Sequence, residues 1–176
     1  MILKKLTLFC FIITLLSCLD IEPRKPLNKK NITFFQSSIE RNKKIKKYQE
    51  ILFKSIINKS SEDFFYSSYG FWYTFKVKNQ SVEKPNSGDQ VIFSYQIEDV
   101  NGKIIYTESS LGTVTYRVDK EDLLPALREG VKVLKKGEIA SFLFPSYLCH
   151  GYMGDGEKIG INQPLKITIN LLEHIK

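Results

Sequence analysis

The hydrophobic pattern of the chain changes its period near Gly70. Between residues 36 and 59 there is no Gly or Pro, and apolar residues recur at helical spacing among many lysines. This pattern predicts an amphipathic basic helix over residues 36–59, with Ser37 or Ser38 as its N-cap. Its apolar positions are Ile39, Ile45, Tyr48, Leu52 and Ile56.

After Gly70 the pattern is typical of strands. Residues 71–77 are aromatic and β-branched, and residues 91–98 alternate, which places Val91, Phe93, Tyr95 and Ile97 on one face. An Asn-Gly turn follows, and Pro125 and Gly130 mark the start and end of a short helix. Strands are also predicted over residues 103–106, 139–145 and 165–171.

The first residues have the pattern of a secretory signal. Lys4 and Lys5 precede an apolar run, which ends at Leu15-Leu16-Ser17-Cys18 and resembles the bacterial lipobox. We therefore expect residues 1–17 to be a signal peptide and Cys18 to carry a lipid. The alternative is an ordinary signal peptide in which Cys18 is incidental. The Pro- and Lys-rich residues 18–35 are predicted to be a lipidated N-terminus and flexible tether.

The net charge of +7 is concentrated in one part of the chain. Residues 24–59 hold 11 bases and 2 acids, whereas residues 86–176 hold 10 bases and 12 acids. The slightly acidic second half argues against a nucleic-acid-binding platform, which needs an electropositive face. The basic segment favours an anionic membrane surface, with a solvated lysine face as the alternative.

The sequence gives little indication of a metal site, a catalytic cysteine or a phosphate-binding loop. Without Cys10 and Cys18, Cys149 is left alone in the folded part, so no intramolecular disulfide is expected. Cys149 and His150, even with Asp155 and Glu157 nearby, fall short of a metal set or an oriented nucleophile. The glycines at 151–156 lack the Lys-Ser/Thr of a phosphate loop. No metal and no cofactor are expected.

Residues 85–176 contain a series of motifs in a fixed order: Gly-Asp before VIFSYQIED, then NGK, DLLPALREGV, a Lys-Gly-Glu turn, FPSYLCHG and LKITINLLE. In the order and spacing of these motifs, the segment resembles the FK506-binding-protein (FKBP) type of peptidyl-prolyl cis-trans isomerase. Together with the lipobox, the basic helix and the GFWYTF strand, the chain resembles the gliding-motility-associated isomerase lipoproteins of gliding bacteria. The resemblance implies an α+β fold, in which an antiparallel half-barrel sheet wraps a short helix. The chain would then divide into residues 1–17, 18–35, a basic helix and aromatic strand over 36–84, and the isomerase domain over 85–176.

The resemblance also implies a prolyl site without a cofactor. Its catalytic positions match Tyr95, the backbone N–H of Leu124, and His150. A neighbouring aromatic position of the family matches either Val114 or Tyr116, since the sequence does not determine the alignment there. The substrate-binding positions match Ile105, Tyr106, Tyr116, Leu123, Leu127, Ile159 and Ile167.

Several of these positions depart from the family pattern. Ile105 replaces an aromatic residue, Tyr106 an aspartate, Leu127 a tryptophan and His150 a tyrosine. Two functions follow: isomerisation of X–Pro bonds in proline-containing proteins of the cell envelope, with reduced activity, or a catalytically weak or inactive module for binding, chaperoning or complex assembly. The expected location is the bacterial envelope, with a lipid anchor in a membrane and the domain facing the periplasm.

Overall fold

The structure is a computed structural model that describes residues 29–80 and 83–176. The predicted signal peptide, Cys18 and most of the tether lie outside the described residues. Residues 39–176 form one compact unit, and the part of the chain before it includes the start of the first helix. The helices are α1 (Lys29–Lys59), α2 (Glu108–Leu111) and α3 (Pro125–Val131); the strands are β1 (Phe65–Tyr66), β2 (Trp72–Val77), β3 (Gln90–Asp99), β4 (Ile104–Tyr106), β5 (Thr113–Arg117), β6 (Ile139–Phe144) and β7 (Leu165–Ile175).

The seven strands form one antiparallel sheet in the order β1-β2-β6-β7-β3-β4, with β5 also paired to β3. The α+β fold and the five predicted strands are confirmed. The sequence did not indicate β1, β5 or α2, which are two, five and four residues long. Segments this short carry too few side chains to establish a period.

One face of the sheet forms the core around α3. Tyr95 and Ile97 of β3 pair with Ile169 and Ile167 of β7. On its other side, Ile167 pairs with Phe142 of β6. Directly paired residues in an antiparallel sheet share a face, so the alternating residues of β3, β6 and β7 converge there. Gly130 of α3 lies so close that a Cβ on it would be 2.7 Å from the Cδ1 atom of Ile169. The missing side chain allows the helix to approach the sheet.

The first helix begins at Lys29, earlier than the predicted residue 36. Ser37 and Ser38 therefore lie inside α1 and do not cap it, and residues 29–35 of the predicted tether are helical. The reason is visible in the sequence, because no Gly or Pro interrupts the chain between Pro26 and Gly70. The apolar residues near 32–35 are adjacent rather than periodic, so the pattern alone did not extend the helix.

The second half of α1 is held against the sheet domain by one buried polar side chain. Gln49 is 2% exposed. Its amide nitrogen donates to the carbonyl oxygen of Asn162 at 2.9 Å, and its amide oxygen accepts the backbone N–H of Ser146 at 3.0 Å. Phe53, one turn further, is also buried. Because a buried amide without partners is costly, these bonds fix the helix at a defined register.

None of the helices within residues 29–80 and 83–176 is long and apolar enough to cross a membrane.

Candidate functional site

Tyr95 supplies a hydroxyl group at the rim of the inner sheet face. Its side chain is half-buried, and its ring centroid lies 6.0 Å from that of Phe93. Burial raises the pKa of Tyr95, so the hydroxyl remains protonated at neutral pH. Within the part of the chain that the structure describes, this hydroxyl has no hydrogen-bond partner. It is therefore free to donate to a ligand.

The start of α3 offers a backbone donor beside the same core. Leu124 precedes the helix with φ −49° and ψ 126°, and Pro125 occupies the first turn. Proline fits there because an N–H group in the first turn of a helix would have no acceptor within the helix, so its loss costs nothing. The N–H of Leu124 makes no hydrogen bond to the described residues. Leu123 and Leu124 are half-buried and pack on the core.

The predicted catalytic and substrate-binding residues, His150 apart, separate into a partly exposed rim and a buried floor. Leu127, Ile159 and Ile167 are 2%, 4% and 0% exposed and belong to the central cluster. The half-buried rim packs on that cluster and comprises Tyr95, Ile105, Tyr106, Leu123 and Leu124. The structure thus brings nine of the ten predicted positions, including Tyr116, to one apolar region.

The two candidates on β5 occupy different environments. Tyr116 lies opposite Val91 and is 1% exposed, and its hydroxyl oxygen accepts the backbone N–H of Asp119 at 2.9 Å. Val114 lies opposite Phe93 and is half-buried. Tyr116 is therefore a structural part of the floor, and Val114 is the more accessible of the two.

Asp155 is a site residue that the sequence did not indicate as such. The Tyr106 hydroxyl donates to its Oδ2 atom at 2.6 Å, and this bond raises the pKa of Tyr106 to about 12. The single hydroxyl proton of Tyr106 is thus committed to a carboxylate. At the position where the family has an aspartate on the strand, this chain has a tyrosine, and a carboxylate comes from a loop 49 residues further on.

Asp155 also organises the loop that carries Ile159. Its Oδ1 atom accepts the backbone N–H groups of Glu157, Lys158 and Ile159 at 2.9, 2.9 and 2.8 Å. Burial acts to raise the pKa of this carboxyl, but the hydrogen bonds from Tyr106 and these three amides hold it well below its usual range. The sequence signal was an Asp directly before a Gly, which is typical of turns and does not by itself indicate a partner.

His150 lies on a different segment of the chain from Tyr95 and Leu124, in the loop after β6. It is half-buried in the loop after the 3-10 turn Ser146–Leu148, and it makes no hydrogen bond with a described residue. Its neighbour Cys149 packs on the core, where burial raises the pKa of the thiol. A thiol held protonated in this way is a poor nucleophile.

Three comparisons relate this chain to known proteins. The curated "Probable FKBP-type peptidyl-prolyl cis-trans isomerase FkpA" of Neisseria meningitidis serogroup B is 31% identical over 101 residues, which is 56% of this chain and 36% of that protein. The chain thus matches about a third of that relative's length. The crystal structure of FkpA from Escherichia coli has a TM-score of 0.58 at 22% identity, and the match covers 97% of this chain and 82% of that one.

A crystal structure of a peptidyl-prolyl cis-trans isomerase from Pseudomonas syringae pv. tomato has a TM-score of 0.60 at 18% identity, covering 76% of this chain and 96% of that one. At these identities the two structures show a shared fold. The family model for FKBP-type peptidyl-prolyl cis-trans isomerases matches residues 81–172, which is more than half of the chain. This chain therefore belongs to the FKBP-type peptidyl-prolyl cis-trans isomerase family.

Proposed function

We propose that the protein is an active peptidyl-prolyl cis-trans isomerase that acts on X–Pro bonds of extended polypeptides. The uncatalysed reaction is slow because rotation breaks amide resonance, at a barrier of ~18–20 kcal/mol. In the twisted state the carbonyl and the nitrogen are electronically decoupled, and an apolar site with a few fixed donors binds that state better than the planar amide. No strong acid, nucleophile or cofactor is required.

The single observation that carries this proposal is the free Tyr95 hydroxyl above an apolar floor. Leu127, Ile159 and Ile167 form a buried apolar floor beneath the half-buried rim. In our proposal the prolyl ring packs against the rim over this part of the core. The Tyr95 hydroxyl and the Leu124 N–H are two unused donors on the same cluster. In our proposal they hold carbonyl groups of the substrate while the X–Pro bond rotates.

Replacing Tyr95 with Phe tests the proposal. The change removes one neutral donor and keeps the ring, so kcat/KM on an X–Pro peptide should fall roughly three- to tenfold, the equivalent of one such hydrogen bond. The control is Tyr48→Phe, at a tyrosine exposed on α1. A folded wild-type protein that does not exceed the uncatalysed rate would refute the enzymatic proposal.

The alternative function is a weakly active or inactive binding module, and one observation favours it. Tyr106 donates its proton to Asp155, so it has none to offer to a substrate carbonyl. Under this alternative, the wild-type protein binds proline-containing peptides and shows no isomerisation rate above background. Measuring the binding and the rate on the same peptide separates the two functions.

We further propose that the protein acts at the bacterial envelope, anchored through a lipid on Cys18. The support is the sequence pattern of Lys4-Lys5, the apolar run and the Leu-Ser-Cys junction. Cys18→Ala should move the full-length protein from the membrane fraction to the soluble fraction, while Cys149→Ala should not. Membrane retention of the Cys18→Ala variant would contradict the anchor.

A role in gliding motility is the most specific part of the proposal and rests on the sequence resemblance alone. In a gliding host, deletion of the gene should impair surface movement, and wild-type protein should restore it. Restoration by the Tyr95→Phe variant at full speed would separate any such role from isomerase activity.

A further inference from the structure

A groove of about 540 Å³ lies between α1 and the loop that follows β6. The side chains along it are partly apolar and partly basic. From the loop side it is bounded by Tyr147, Gly151, Tyr152 and Asn162, and from the helix by Ile39, Asn42, Lys43, Ile45 and Lys46. Gly151 directly follows His150, so one wall of the groove is next in sequence to a predicted catalytic residue.

The groove continues a helix face that is elsewhere packed. Positions 39, 42, 46, 49 and 53 are spaced three or four residues apart and share one side of α1. Gln49 and Phe53 on this stripe are buried against the domain, whereas Ile39 is 53% exposed. The later turns of this face are covered by the domain, whereas its earlier turns are open. Among the residues that the structure describes, nothing covers the aliphatic surface of Ile39 there.

The charges of the groove are of one sign. Lys43 and Lys46 line it, and no Asp or Glu does so among the residues that the structure describes. The guanidinium of Arg41 lies 5.0 Å from the ring centroid of Tyr152, which places a third cation at the edge. Tyr152 is 64% exposed and offers a wide apolar ring beside these cations. An occupant that matches both features has acidic groups and apolar side chains.

We propose that this groove binds an acidic, extended segment of the substrate polypeptide that flanks the isomerised proline. The inference rests on the proposed isomerase function and deepens it, because it defines the substrate class. Gly151, Tyr152 and Asn162 of the groove wall and Ile159 of the apolar floor belong to the same loop segment. In this proposal one extended chain contacts both. Lys43 and Lys46 then act as specificity-determining residues, which select flanking Asp or Glu over neutral or basic residues.

The test uses fluorescent peptides with one central proline and flanks of either Asp/Glu or Asn/Gln, and the full-length protein. Fluorescence anisotropy should show tighter binding of the acidic peptides, by roughly threefold for each charge pair formed. In Lys43→Gln/Lys46→Gln this preference should disappear. In the matched control Lys47→Gln/Lys54→Gln, which changes two exposed lysines of α1 outside the groove, it should persist.

A second measurement needs no variant. Raising the salt concentration should weaken binding of the acidic peptides to the wild type and leave the neutral peptides nearly unaffected. Equal binding of both peptide sets at low salt would overturn the proposal. A preference for acidic peptides that survives in Lys43→Gln/Lys46→Gln would also overturn it. The same holds if anionic vesicles bind through these two lysines and yet displace no acidic peptide.

The proposed function has a separate readout. Isomerase rates are measured on a short X–Pro peptide that lacks flanks, so it does not extend into the groove. If the protein isomerises the short peptide but binds peptides with acidic and neutral flanks equally well, only the groove proposal is refuted. A protein without any isomerase rate that still prefers acidic flanks refutes the enzyme and leaves the groove as a binding site.

Discussion

At the scale of single residues, the site depends on which hydroxyl groups are already in use. The Tyr95 hydroxyl has no partner among the described residues, Tyr106 donates to Asp155, and the Tyr116 hydroxyl accepts the Asp119 amide. Three tyrosines in one region therefore have three different roles. Strand alternation was sufficient to place Tyr95 on the inner face. It was not sufficient for Tyr106, because its partner depends on how a distant loop folds.

The lowered pKa of Asp155 predicts a specific acid sensitivity. A carboxylate with a folded-state pKa below its unfolded value of about 3.9 stabilises the fold fully above that pH, and this contribution is lost as the pH falls towards the folded pKa. Asp155→Asn should therefore lower the Tm by a constant amount between pH 8 and pH 5. Below about pH 4 the difference from the wild type should narrow. The control is Asp63→Asn, at an exposed position; a difference that widens in acid would contradict the assignment.

At the scale of elements, close packing of α3 on the sheet determines where the Leu124 donor lies. The Pro125 and Gly130 signals predicted this helix almost to the residue, because proline and glycine restrict the backbone directly. Patterns on the sequence also predicted the long strands well. They failed at the short strands β1 and β5, where tertiary contacts rather than periodicity decide the structure. They also failed at the start of α1, where the apolar residues are adjacent rather than periodic.

Gly130→Ala tests this packing. In an open helix the change would be mildly stabilising, but here the new Cβ would lie 2.7 Å from Cδ1 of Ile169 and 3.3 Å from Cζ of Phe144. Overpacking of this kind costs about 1–3 kcal/mol, which urea denaturation would measure. Ile169→Val removes the colliding methyl group. The double variant should therefore be less destabilised than the two single changes predict together, and strict additivity would contradict the contact.

At the scale of the whole molecule, the sheet crosses the predicted division between residues 36–84 and 85–176. Strand β2 pairs with β6, and Phe71 lies in the buried core next to Phe142 and Phe144. This arrangement could not be deduced from hydrophobic pattern, which contains no pairing information. The antiparallel sheet around a short helix followed from the family resemblance, while the place of β2 and the Gln49 contacts became visible only in three dimensions.

Removal of residues 1–84 should consequently destabilise the remaining chain. It would expose the edge of β6 and leave the site of Phe71 empty, and loss of a buried Phe side chain alone costs about 3–5 kcal/mol. The truncated protein should unfold at lower urea concentration than the full chain. As a control, removal of residues 1–17 alone should leave the midpoint unchanged.

The replacement of the family's floor tryptophan by Leu127 also has an optical consequence. The chain has one tryptophan, Trp72, which lies on β2 with its ring centroid 4.8 Å from that of Tyr66. No indole lies at the predicted prolyl site, so ligands bound there should leave the tryptophan emission largely unchanged. Emission from Trp72 instead reports the integrity of the β1–β2 edge. Fluorescence therefore follows unfolding independently of site occupancy, and Leu127→Trp would add a second emitter within the site.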